Sequence, residues 1–154
     1  MADEQLYFED VPLDRTFVTT GRTITEADLL HFASLSGDFN ALHMDAHFAA
    51  TTPFGSRIAH GLLVLSIASG MTTRLSIMLG LNKSMQGVTE VNCRWPAPTR
   101  IGDSLKVELS FSDKTLTRSG TRGFVTEHRR VVNQDSTVVL ESEWKLLLAA
   151  RPTS

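Results

Sequence analysis

The sequence predicts an α+β fold in which a mostly antiparallel sheet curls around one deeply buried helix. Three observations carry this. The apolar period is helical, about 3.6, in the front half and switches to 2 in the back half. Residues 58–71 are apolar almost without interruption, yet hold His60 early and fall short of the roughly 20 residues of a membrane span. The composition is ordinary for a globular chain, 154 residues with 42% hydrophobic and 21% charged, enough to bury a core without disulfides or metals.

The elements follow in chain order. An early strand is expected near residues 16–23. Thr25-Glu26-Ala27-Asp28 has the form of a capped helix start, with an acidic residue three after the Thr. Leu29, Leu30, Phe32, Ala33 and Leu35 give that helix an apolar face to about Ser36, and Gly37 stops it. A short helical turn is expected over 46–50. The third helix, over residues 61–79, carries Leu62, Leu63, Val64, Leu65, Ile67, Ala68, Met71, Leu75, Ile77 and Met78. These surround the helix instead of forming a narrow stripe, which predicts burial on nearly all sides. Four strands then follow, at 88–95, 105–111, 123–132 and 138–148, with Ser119-Gly120 and Asn133-Gln134-Asp135 as hairpin connections. No repeat or linker divides the chain, so residues 1–154 read as one domain.

Charge and cysteine content narrow the function. Fifteen basic against 17 acidic residues leave a formal net charge of -2, with no basic excess to bind nucleic acid or an anionic membrane. The single cysteine, Cys93, builds neither an intrachain disulfide nor a Cys-rich zinc site and reads as strand packing. The acidic N-terminus lacks the basic and apolar regions of a secretory signal. The expectation is a cytoplasmic protein without a membrane span.

The richest stretch is Ser36-Gly37-Asp38-Phe39-Asn40-Ala41-Leu42-His43-Met44-Asp45. Asp38 and His43, five apart, share neither a helix face nor a strand face, but converge if the loop turns. A carboxylate and an imidazole facing one water can activate it and move its proton. On spacing alone this signal is weak, and turn formation by Asp38 and Asn40 with a surface His43 is the favoured reading. Further on, Ile58-Ala59-His60-Gly61 opens the apolar helix. Unpaired N–H groups there polarise an acyl oxygen, and Gly61 lets that oxygen come close. The plainer reading makes this a tight loop-to-helix join with His60 as a cap.

Together these segments resemble the MaoC-like family, which includes the (R)-specific enoyl-CoA hydratases. The family pattern, roughly S-G-D-x-N-P-x-H-x-D, an Ala-rich turn, then F-x-x-x-I-x-H-G and a helix, is matched over residues 36–70. Trp95-Pro96-Ala97-Pro98 and Gly102-Asp103-Ser104-Leu105 resemble the family's strand-entry segment. Two departures stand out: Ala41 and Arg57 each replace a usual proline.

The resemblance implies a hot-dog fold, a curved sheet around the helix that begins at Gly61. It implies that Asp38 and His43 are the catalytic dyad, with Asn40 supporting them. Gly61 is the backbone donor to the thioester carbonyl, and Ser69 orients the dyad. Phe54, Ile58, His60 and Leu62 fall to the substrate pocket. The substrate is an acyl-CoA thioester or its acyl-carrier-protein counterpart, with no metal and no cofactor, and the expected assembly is a homodimer. The implied reaction is hydration of a trans-2-enoyl thioester to the (R)-3-hydroxyacyl product, or its reverse. A hot-dog thioesterase and a non-catalytic acyl-CoA-binding subunit are the alternatives.

Other residues add little. His43, Asp45 and His47 are ligand types that suit zinc, but the dyad already uses His43. No Gly-x-Ser-x-Gly elbow and no phosphate-cradling glycine loop occurs. Lys83, Arg94 and Arg100 could meet CoA phosphates but read first as solvated charge.

Overall fold

The computed structural model of the protein describes residues 5–152. A 3-10 turn at Phe8–Asp10 precedes strands β1 (Thr16–Val18) and β2 (Arg22–Thr23). Helices α1 (Glu26–Ser36), α2 (Ala41–Met44), α3 (Ala46–Ala50), α4 (Gly61–Thr72) and α5 (Ser76–Leu81) follow. Strands β3 (Met85–Arg94), β4 (Ser104–Leu116), β5 (Arg122–Val132) and β6 (Val138–Ala149) complete the chain. The sheet runs β1-β4-β5-β6-β3 with antiparallel neighbours, and β2 pairs with β4. The expected early strand is thus two pieces along one edge. No helix among the described residues is long and apolar enough to cross a membrane.

Helix α1 starts where its capping chemistry places it. The Asp28 N–H donates to Thr25 Oγ1 at 3.3 Å, and the Thr25 N–H donates to Asp28 Oδ2 at 2.8 Å. Burial alone would push the Asp28 carboxyl up, but hydrogen bonds from Thr25 and the Arg22 guanidinium hold it below the usual carboxylate range. Gly37 ends the helix with φ 78°, a left-handed conformation that glycine adopts without a Cβ penalty.

The long apolar helix differs from expectation in two ways. It breaks after Thr72. There the Thr72 and Thr73 hydroxyls bond back to the Ser69 and Gly70 carbonyls at 2.8 and 2.7 Å, and extended backbone at Leu75 starts α5. It is also not buried all round: Leu62, Ser66, Gly70 and Thr73 form one exposed stripe at helical spacing.

The other faces of α4 pack on the sheet. Leu63, Val64, Ala68 and Met71 meet Leu105, Val107, Val131 and Leu140. A second cluster joins Ile77, Met78 and Leu81 of α5 to Leu109, Phe111, Trp144 and Leu146. Between them, along the inward face of β5, lie Glu127 and Arg129, flanked by Val125 and Val131. This ion pair is buried, with Glu127 at 0% exposure. The Arg129 guanidinium lies 3.8 Å over the Trp144 ring, whose N–H donates to Ser142 Oγ at 2.8 Å. Glu127 Oε2 and Arg129 Nη1 have no partner among the described residues. Burial pushes the Glu127 carboxyl up, and the attraction of Arg129 does not cancel it.

A pair that is desolvated and incompletely satisfied costs about 3–5 kcal/mol to break from one side, whereas an apolar pair of similar size is neutral or better. Glu127→Gln and Arg129→Met should each lower the urea midpoint, while Glu127→Leu with Arg129→Met should hold or raise it. The raised carboxyl adds a pH signature. Its contribution is present below the ordinary glutamate value and lost as pH rises through the folded-state value. Wild-type stability should therefore decline across that window relative to Glu127→Gln, and parallel pH curves would contradict the assignment.

Candidate active site

The loop after α1 is built by short-range hydrogen bonds. Ser36 Oγ accepts from the Asp38 N–H at 3.2 Å, and Asp38 Oδ1 accepts from the Asn40 N–H at 3.2 Å. Asn40 Oδ1 accepts from the Leu42 N–H at 2.9 Å and so caps α2, the single turn that carries His43. Ala41 opens this turn, and Asn40 shapes it. Asp45 caps α3, accepting from the His47 and Phe48 N–H groups at 2.9 and 3.0 Å. The chain is therefore turned twice within eight residues, which brings Asp38 and His43 to one place.

The segment before α4 forms the other wall. The Ala59 N–H donates to Thr99 O at 2.8 Å, and Ile58 bridges to Arg100, so 58–59 follow the strand-entry segment. His43 Nδ1 lies 2.8 Å from Ile58 O. A carbonyl only accepts, so Nδ1 carries the hydrogen and Nε2 keeps the free lone pair. His60 is 2% exposed, and its Nε2 lies 3.0 Å from Asp38 O, which fixes its hydrogen on Nε2 by the same reasoning. The two imidazoles stack at a tilt, with centroids 3.9 Å apart and planes at 32°. Phe32 of α1 flanks His60 at 5.0 Å.

One ligand-type atom each from Asp38, His43 and His60 lies within 4.8 Å of the others. Two groups at that separation accommodate one water hydrogen-bonded to both at about 2.8 Å each. These are also metal-ligand atom types, and the trio differs from the His43, Asp45, His47 set raised by spacing. Asp45 is occupied by its cap.

Gly61 opens α4, and its N–H meets no acceptor among the described residues. Its carbonyl accepts from Trp95 Nε1 at 2.9 Å. A Cβ on Gly61 would stand 2.9 Å from Trp95 Cε2, so the indole excludes a side chain there. Ile58 is buried, while Phe54 and Leu62 are exposed on either side of the helix entry. Ser69 lies eight residues past Gly61 on α4, and its hydroxyl makes no hydrogen bond to Asp38 or His43 among the described residues.

Arg57 pairs with Glu26 of α1 at 2.8 Å, tying the loop before α4 to the helix that carries Phe32. Arg94 pairs with Glu141 at 2.5 Å, and Arg100 engages Ser56. A groove of about 550 Å³ lies on the outer face of the sheet, among Asn92, Arg94, His128, Arg130 and Glu143, away from the Asp38 loop. Trp95 was legible only as part of the strand-entry segment. Nothing in the spacing shows that its indole covers Gly61.

A model of the MaoC-like domain family matches residues 10–133. The chain is 30% identical over 143 residues to Protein MaoC of Klebsiella aerogenes, covering 93% of this chain and 38% of that protein. It is 36% identical over 110 residues to a 3-hydroxybutyryl-CoA dehydratase of Methylorubrum extorquens, covering 70% and 65%. It is 34% identical over 147 residues to an (R)-specific enoyl-CoA hydratase of Rhodospirillum rubrum, covering 94% and 93%. The chain thus spans well under half the length of the first of these and about two thirds of the second. Among solved structures, a monoamine oxidase regulatory protein from Archaeoglobus fulgius superposes with a TM-score of 0.92 at 34% identity, over 99% of both chains. A Mycobacterium tuberculosis protein with a double hot-dog fold gives a TM-score of 0.79 at 20% identity, covering 97% of this chain and 46% of that one. The curved antiparallel sheet around α4 is this hot-dog fold.

The contact between Gly61 and Trp95 gives a direct test. Gly61→Ala should push the indole off the carbonyl and change intrinsic fluorescence, and Trp95→Phe should remove the responding signal. The atoms nearest that Cβ all belong to Trp95 and not to the buried Trp144, so an unchanged spectrum in Gly61→Ala would show that the indole does not sit there.

Proposed function

The chain belongs to the MaoC-like domain family, and on that premise we propose that it hydrates trans-2-enoyl-CoA to (R)-3-hydroxyacyl-CoA, or dehydrates the product. The observation that carries this is the gathering of the Asp38 carboxylate and the His43 imidazole within 4.8 Å, at the foot of a helix whose first N–H meets no acceptor among the described residues. Relatives bearing hydratase and dehydratase names support the reading.

In the proposed reaction, one water bridges Asp38 and His43 Nε2. As its oxygen bonds to C3, His43 Nε2 takes one proton, and the electron pair of the C2–C3 double bond moves toward the thioester oxygen. The Gly61 N–H and the N-terminal end of α4 stabilise that charge by a few kcal/mol. His43 then returns the proton to C2, and the thioester carbonyl re-forms. Asp38 accepts the second water hydrogen bond and balances the imidazolium charge. Hydroxide at C3 and a proton at C2 account for the whole water. No oxidation state changes overall, so the reaction invokes no redox cofactor.

Acyl-CoA is the proposed substrate, with an acyl-carrier protein as the other thioester donor, and the cytoplasm is the proposed setting. The proposed assembly is a homodimer. Strand β3 is an edge of the sheet, with Val88 and Val91 exposed, and Leu62 of α4 is exposed as well. Pairing two such edges covers these side chains and brings two sites near one interface.

Asp38→Asn and His43→Ala should each cut turnover of crotonyl-CoA at least about 10²-fold, read as loss of enoyl-thioester absorbance, with chiral analysis giving the (R)-alcohol from wild type. Wild-type rates in either folded variant would sink the mechanism, and free thiol release without hydration would favour a thioesterase. Light scattering should give twice the chain mass, and an active monomer would contradict the pairing.

A further inference from the structure

We propose that His60 is a positioning residue that holds both members of the dyad, gripping the Asp38 main chain by a hydrogen bond and the His43 ring by stacking. This rests on the hydratase reading above. The plain role for a residue before a helix is to cap it, yet the His60 side chain makes no capping hydrogen bond to α4. Its Nε2–H instead reaches 22 residues back to Asp38 O, at 3.0 Å.

That bond matters because the Asp38 loop is exposed and otherwise held by bonds within itself, Ser36 to Asp38 and Asp38 to Asn40. Among the described residues, the His60 bond is the one that ties Asp38 to another segment. Residues 58–60 then act as a clamp. Ile58 O takes the His43 Nδ1–H, the Ala59 N–H is anchored on Thr99 O, and the His60 Nε2–H takes Asp38 O. Both dyad members are fixed to one three-residue stretch that is anchored on the segment between β3 and β4.

Stacking does the rest. The His60 ring lies between Phe32 at 5.0 Å and His43 at 3.9 Å, so the His43 ring has a flat buried surface to lie on. When His43 holds the water's proton, its charge rests against the face of this aromatic ring, an attractive arrangement. The buried Nδ1 of His60 has no partner, a cost consistent with selection for the ring and its Nε2 donor over local satisfaction.

The test separates the two interactions. His60→Gln keeps an N–H donor and loses the ring; His60→Phe keeps the ring and loses the donor. Each should lower kcat for crotonyl-CoA by about 10- to 100-fold, the scale of a small misplacement, with KM within about threefold. Wild-type kcat in both, beside a large loss in Asp38→Asn, overturns the positioning role alone. Wild-type rates in Asp38→Asn overturn the hydratase reading, and the positioning role with it. A measurement on the wild-type protein covers variants that do not fold. With histidine ring nitrogens labelled and assigned, His60 should be the Nε2–H tautomer and His43 the Nδ1–H tautomer. A His60 Nδ1–H tautomer would overturn the proposal whatever the kinetics.

Discussion

A carbonyl oxygen accepts hydrogen bonds and cannot donate them, and the site depends on that asymmetry. Ile58 O fixes one proton of His43, and Asp38 O fixes one proton of His60. Two tautomers follow, and with them the direction in which each imidazole presents its lone pair. His43 is left with the Nε2 lone pair free on a ring gathered with the Asp38 carboxylate, groups that suit proton transfer. No charged partner buried behind the histidine has to set this orientation. Backbone geometry does it, and that backbone is held by the segment between β3 and β4 through Ala59 to Thr99 and Ile58 to Arg100.

The scaffold divides its work accordingly. Strands β4 to β6 supply a stiff inward face, and α4 lies on it with one stripe left open. The reactive loop is packed lightly, outside the two apolar clusters, and relies on Asx-type turns and caps. A site on such a loop needs an external anchor, and the segment before α4 provides it. The buried Glu127–Arg129 pair is the exception to an apolar interior, and it sits at the seam between the clusters. Its retention at a stability cost fits a role in holding the register of two half-cores against each other.

Much of this was legible in the sequence where local chemistry decides the outcome. The Thr25 and Asp28 box, the Gly37 stop and the strand alternation of 105–111 map directly onto elements, because caps and periods act within a few residues. The single helix expected over 61–79 was misread at Thr72 and Thr73, where hydroxyls compete for carbonyls and apolar content alone gives no warning. Its open stripe was misread because Leu62 is as apolar as its buried neighbours. At the site, the family pattern carried Asp38, His43 and Gly61 as a set, and the structure gathers Asp38 and His43 with His60, the residue before Gly61. Ser69 was carried by the same pattern and makes no hydrogen bond to Asp38 or His43 among the described residues. The role of His60 was illegible for a different reason: a contact across 22 residues that depends on ring orientation leaves no trace in spacing.

The indole over Gly61 links two positions that sequence keeps 34 residues apart. Neither can drift alone. A side chain at 61 collides with the ring, and a smaller residue at 95 strips the carbonyl of its donor and opens a gap over the peptide. The pair therefore behaves as one heritable unit, in which a larger residue at 61 becomes tolerable only after 95 has shrunk. Because Trp95 directly follows the edge strand β3, that unit also joins the sheet border to the helix foot. Changes selected at the border for a new neighbour would be felt first at Gly61, the residue proposed to meet the acyl oxygen.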